Sequence, residues 1–298
     1  MDPITILLIL LGIVSGFFAI VFFMDVVKHK DEKVLGEEGQ EIKGNFAISG
    51  VIGAVTAFFD TLGIGAFAPT TALFKATKVV DSGIFPGTLN VAHTLPAVLV
   101  SFLYINYVEV EVVTLFSLIG ASIIGAWLGS GIVAKMNKRA IQGVMGLALI
   151  IVATMMLGRR IGVIRFLSEG TLGLSGANLI IGIVGFFILG ALMTAGVGLY
   201  SPAMALVFLL GLEEPAAFPI MMGSCAFLMS VAGVRFVKEG KYARKQSLAI
   251  TLLGLPGAWL AFTFFRGVFD LGLLIWLVMI VVALTGMMML MNYFKMKD

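Results

Sequence analysis

The stretch DTLGIGAFAPTTALFK (60–75) cuts across an apolar run with two glycines, a proline, three threonines and an aspartate. In hydrocarbon such a break strands backbone N–H and C=O groups that an unbroken helix would satisfy. Its setting sharpens the problem. Of 298 residues, 60% are hydrophobic and only 12% charged, where a soluble domain carries about a quarter charged residues. Nine apolar stretches, at 4–24, 46–66, 84–105, 112–134, 140–157, 177–199, 217–237, 247–265 and 271–294, come close to the ~20 residues a bilayer requires. The chain reads as an all-α polytopic membrane protein. Its first segment is too long, and too poor in basic residues at its start, for a signal peptide, and reads as a retained helix.

Composition also narrows the chemistry. A single cysteine, Cys225, gives no internal disulfide and no Cys-rich metal site, and His29 and His93 are the two histidines. No metal and no cofactor is expected. There is no Walker A sequence, which argues against ATP as the energy source. The net charge of +3 comes from basic residues in short loops, where it reports topology and not nucleic-acid binding. The longest polar stretch, DVVKHKDEKVLGEEGQEIK (25–43), reads as a solvated loop.

The opening stretch has a second copy. Against MTAGVGLYSPAMALVF (193–208), an offset of 133 pairs Thr61 with Thr194, Gly63 with Gly196, Gly65 with Gly198 and Pro69 with Pro202. The register continues through Phe85/Phe218 and Pro86/Pro219, and GAWL at 125–128 meets GAWL at 257–260 at an offset of 132. Chance does not readily match glycines and prolines in one ungapped register. The sequence divides into a first helix and charged loop (1–45), repeat 1 (46–158), a linker (159–176) and repeat 2 (177–298).

Loop charge bears on orientation, because Lys and Arg collect on the cytoplasmic side. If 46–80 and 177–214 are each a broken helix that enters and returns, all the Lys and Arg except Arg159, Arg160, Arg165 and Arg266 fall on the cytoplasmic side. A reading in which all nine segments cross leaves more of them outside. The re-entrant reading makes the halves inverted repeats whose broken helices meet near the bilayer midplane, an architecture common among secondary transporters. It places the N-terminus outside and the C-terminus in the cytoplasm, in the inner membrane of the cell.

Irregular backbone at membrane depth must line protein or a water-filled cavity. GIGAFAPTT and GVGLYSPA each lead into a helix opened by a proline, Pro69 or Pro202, and helix starts carry unsatisfied N–H groups and about half a positive charge. Together they predict an anion site. Gly63, Gly65, Gly196 and Gly198 allow close backbone approach, and Thr70, Thr71, Thr88, Asn90, Ser201 and Ser224 offer neutral hydrogen bonds. No Lys or Arg lies within these motifs, which suits reversible binding. Asp60 and His93 are ionisable groups inside apolar segments and stand as candidates for proton coupling, with His93 also a candidate for binding. The second copy has Met193 and Ala226 in their places. The plainer readings are that the small residues only let helices pack and that Asp60 satisfies broken backbone. Gly125 and Gly129 in GAWLGSG are spaced for close helix packing or for a homodimer face.

GIGAFAPTTALF (63–74), GVGLYSPAMALVFLLGLEEPAAFP (196–219) and GVRFVKEGKYARKQSLAITLLGLPGAWLA (233–261) resemble the TauE/SafE family of bacterial sulfite exporters and related anion permeases. The resemblance covers roughly 46–293 and is stronger in the second half. It implies a transporter of sulfite, sulfonate or organic anions whose path is lined by the breaks at 63–71 and 196–202 and the helix starts at 86–93 and 219–225. The expected function is secondary transport of such an anion, with export the expected direction, proton coupling compatible with it, and the lipid bilayer and small anion as the partners. A passive anion channel is one alternative. An intramembrane serine protease is another, from GLSG (173–176) with Ser175 as nucleophile, but the one histidine at membrane depth, His93, lies far back in the chain.

Overall fold

The computed structural model describes residues 2–29, 45–81, 84–133, scattered positions between 139 and 161, 171–194, 198–268 and 271–295. The described residues form helices α1 (Pro3–Lys28), α2 (Phe46–Thr61), α3 (Phe67–Thr77), α4 (Phe85–Tyr107), α5 (Val112–Val133), α6 (Gly176–Thr194), α7 (Tyr200–Leu209), α8 (Ala217–Lys238), α9 (Arg244–Val268) and α10 (Leu271–Lys295). They contain no strand, only an isolated bridge between Thr171 and Leu212. By length and composition, α1, α4, α6, α8 and α9 can each cross a membrane. Their outward faces carry Ile13, Phe17, Ile20 and Met24 on α1 and Ile180, Ile181, Val184 and Ile188 on α6, all exposed. Water would not tolerate such continuous apolar surface, whereas lipid does. The chain is a multi-pass membrane protein.

Both expected interruptions occur. The segment at 46–66 stops at Thr61 and resumes as α3, and the segment at 177–199 stops at Thr194 and resumes as α7. Pro69 and Pro202 are the third residues of α3 and α7, so the missing N–H still falls in the first turn, where it would have no intrahelical partner. The linker at 162–170, much of the segment at 140–157, the loop at 30–44 and Gly196 lie outside the described residues.

Two compact units result, and neither follows the repeats in order. One comprises residues 1–106 and 225–267, the other 107–224 and 268–298. In the first, α9 crosses α2 so closely that a side chain at Gly257 would strike the Ala54 carbonyl and one at Gly53 the Ile250 backbone. In the second, α5 crosses α6 with Gly125 against the Phe187 carbonyl and Gly190 against that of Ser122. Ala54 and Phe187 are related by the repeat offset of 133, and Gly257 and Gly125 by 132. The same crossing is therefore built twice, each time from one helix of each repeat. Gly125 serves close helix packing, as its spacing predicts.

Hydroxyls within the helices mostly bond back to their own backbone, as Thr56 does to Ile52, Thr61 to Ala57 and Ser230 to Ala226. One works differently. Pro96 lies inside α4 and has no N–H for the Ala92 carbonyl four residues earlier. Thr251 of α9 donates to that carbonyl at 2.8 Å, and Gly254, one turn on, takes the proline ring against its backbone.

The end of α1 is fixed in the same unit. Asp25 accepts from the Tyr242 hydroxyl at 2.6 Å and from Arg244 Nε at 2.7 Å, while Phe18 and Phe22 pack with Val237 and Tyr242. Burial, reinforced by the neighbouring carboxylate, pushes the Tyr242 phenol above its usual range, so it stays a neutral donor.

Thr251→Val keeps the volume but leaves the Ala92 carbonyl buried without a donor. It should destabilise the protein by about 1–3 kcal/mol, read as a lowered melting temperature of the detergent-solubilised protein against Thr263→Val, which alters only an exposed hydroxyl bonded to its own helix.

Candidate functional site

In the first unit the break is a closed hydrogen-bonded structure. Ile64 N–H donates to the Phe59 carbonyl at 3.2 Å and Gly63 N–H to that of Asp60 at 2.9 Å, the pairing of a Schellman turn. Gly63 takes the left-handed position that ends the helix, with φ of 90°, and Gly65 follows at 85°. Glycine is needed at both for that reason. The next stranded carbonyl, Thr61, accepts from the buried Tyr104 hydroxyl at 2.9 Å, and the Tyr104 ring stands edge-on to Phe262.

Asp60 joins the two sides of the break. Its backbone carbonyl closes the end of α2, and its side-chain Oδ1 accepts Ala66 N–H at the start of α3, 2.5 Å away. Both residues are buried. The start of α3 thus already holds a carboxyl oxygen, which is what the partial positive charge of a helix N-terminus favours.

Thr70 and His93 also meet here. The Thr70 hydroxyl and His93 Nε2 are 3.0 Å apart, and the imidazole lies 6.4 Å from the Phe67 ring between centroids. Sequence placed His93 one turn beyond Asn90; the structure adds that its ring reaches the first turns of α3. His93 is 2% exposed, and its Nδ1 has no hydrogen-bond partner among the described residues. Buried polar atoms without partners are uncommon and call for an explanation.

The other expected residues are more varied. Thr88 donates to the Ile84 carbonyl and accepts Ala243 N–H at 3.0 Å, so its hydroxyl joins the start of α4 to the start of α9. Asn90 donates to the Pro86 carbonyl at 2.8 Å, and Thr71 is half-buried on α3.

In the second unit, Ser201 in the first turn of α7 lies 3.2 Å from the Thr285 hydroxyl of α10. Gly198 is exposed, with open space where a side chain would sit. Ser224 is fully buried, with no partner for its hydroxyl among the described residues. Ser175 is exposed at the start of α6, where its carbonyl accepts from Leu179 N–H, and His93 Nε2 is engaged with Thr70. Neither arrangement is that of a nucleophile and its base.

Sequence reasoning missed Tyr104, Thr251 and Thr285. Pro96 signals that the Ala92 carbonyl needs an outside donor, and the break signals the same for Thr61. Nothing local says which distant hydroxyl supplies either.

Tyr104→Phe should cost about 1–3 kcal/mol by leaving the Thr61 carbonyl unpaired. The check is a lowered melting temperature, together with faster amide exchange confined to residues around the break.

A family model described as Sulfite exporter TauE/SafE matches residues 2–156. It falls on the first half of the chain, whereas the resemblance by motif is stronger in the second. No curated protein and no solved structure matches.

Proposed function

Because the chain belongs to the TauE/SafE sulfite exporter family, a family of membrane transporters, we propose that it is a secondary transporter of a small sulfur-containing or organic anion held at the helix starts that follow its two breaks. The observation that carries this reading is the Asp60 carboxyl on Ala66 N–H: the start of α3 has the geometry and polarity to receive an oxyanion. The second break leads into α7, where Ser201 and Thr285 offer hydroxyls in place of a carboxylate. Each unit also has a buried polar atom without a hydrogen-bond partner among the described residues, His93 Nδ1 in the first and the Ser224 hydroxyl in the second. Neutral donors and helix ends hold an anion without a fixed counter-charge, so it can also leave.

Asp60 and His93 are the groups that would couple flux to protons. With the N-terminus outside and the C-terminus in the cytoplasm of a bacterial inner membrane, the inside-negative potential favours outward movement of an anion, at about 2.3 kcal/mol per charge per 100 mV. This orientation puts Lys75 and Lys78, both exposed at the end of α3, on the cytoplasmic side. Single cysteines there should react with an impermeant maleimide only in inside-out vesicles. Labelling in intact spheroplasts would reverse the assignment.

Sulfite, thiosulfate, alkyl sulfonates and carboxylates, offered in turn to the purified protein, should include at least one that raises its melting temperature. A ligand at a hundred times its dissociation constant adds about 2.7 kcal/mol. Ser201→Ala should weaken that response about tenfold, the effect of losing roughly one hydrogen bond to a charged group. No response to any anion would defeat the reading.

A further inference from the structure

We propose that Asp60 is a built-in rival of the transported anion: its carboxylate occupies the start of α3 in the empty protein, and a substrate oxyanion takes that place only when Asp60 gives it up and binds a proton. This rests on the helix starts being anion sites and says how one of them is regulated.

Three observations converge. Asp60 reaches across six residues to accept Ala66 N–H, and both are buried, at 7% and 3% exposure. Its carboxyl is therefore an oxyanion already seated on the helix start. The His93 ring is held against the same part of α3 by Thr70 and Phe67, with Nδ1 buried and unpartnered. When Thr70 donates to Nε2, Nδ1 carries the proton, so the ring packed against Phe67 and Thr70 of α3 presents a buried donor with no partner among the described residues. The twin break has neither feature, since Met193 and Ala226 stand in place of Asp60 and His93. The rival belongs to one copy alone.

Two negative charges cannot share one helix start in a buried setting, so one must leave or be neutralised. The charged and titratable side chains on the elements packed around Asp60 are few. Helix α4 brings His93 and Tyr104, with Tyr107 at its end, and α2 brings no other charge. Helix α9 has none between Lys245 and Arg266, α3 has only Lys75 in its last turn, and α8 has Arg235 and Lys238 at its end. Among the described residues of these elements the Lys and Arg lie at helix ends, whereas the start of α3 holds the Asp60 carboxyl itself, and protonation of that carboxyl is the route we infer. Anion binding and proton binding then favour each other by the same factor.

The test uses the full-length protein in detergent with methanesulfonate, which stays singly charged across the working pH range, so any pH effect arises in the protein. Wild-type affinity, read by calorimetry, should rise up to about tenfold per unit fall in pH. Binding in weak buffer should draw up to one proton from solution. Asp60→Asn keeps an acceptor for Ala66 N–H but removes the charge. It should bind about tenfold tighter or more at neutral pH, lose the pH dependence and take up no proton. Asp60→Met, which copies the twin, should also bind tighter than wild type at neutral pH, and it serves where Asp60→Asn fails to fold. A wild-type response that these variants weaken, or whose pH dependence they leave intact, overturns the role of Asp60 alone. No response to any anion in wild type or variants overturns the anion-site reading, and this inference with it.

Discussion

Everything near the first break follows from one constraint: a backbone group stranded in an apolar interior must find a partner, at a penalty of several kcal/mol if it does not. Breaking a membrane helix strands carbonyls on one side and N–H groups on the other. Gly63 folds two N–H groups back onto Phe59 and Asp60, Tyr104 reaches in for Thr61, and the Asp60 side chain covers Ala66. The same demand explains Thr251, which serves the carbonyl that Pro96 releases. These are not scattered polar residues. Each hydroxyl or carboxyl answers a particular loss of a main-chain bond.

Seen this way, the two accounts of Asp60, as structural cap and as functional group, are not rivals. A carboxyl caps a helix start for the same reason that a free anion binds there, since both respond to the same N–H groups and the same partial charge. The cap shows that the start of α3 accepts a carboxyl oxygen. Tyr104 differs, since a phenol donating to a carbonyl has no counterpart in an anionic ligand. It holds the other side of the break in place.

The sequence made some of this plain and hid the rest for a physical reason. Glycine, proline and hydropathy are local signals, so both breaks and the offset between their copies could be read directly, as could the close packing of Gly125. Partnerships across the fold are not local. Asn90 and His93 share a helix, and their spacing invited attention, but the ring of His93 meets Thr70, on another helix. Thr88 is marked out by its position after Pro86, and only the structure shows that its hydroxyl joins α4 to α9. A threonine beside a helix start reads alike in either role until its neighbour is known.

The repeat relation adds a last step. Gly257 against Ala54 and Gly125 against Phe187 reproduce one crossing, at positions related by the sequence offset, in two separate compact units. At Gly125 and Gly257 any side chain would drive the backbones apart. Other matched positions differ between the copies. Asp60 against Met193, His93 against Ala226 and Ala68 against Ser201 are of that kind, and all fall at the breaks or at the helices that follow them. The copies thus share Gly125 and Gly257 at the crossing and the glycines and proline of each break, and they differ in polar residues beside the helix starts. A common scaffold carrying two unlike helix starts would let the protein offer an anion two different affinities.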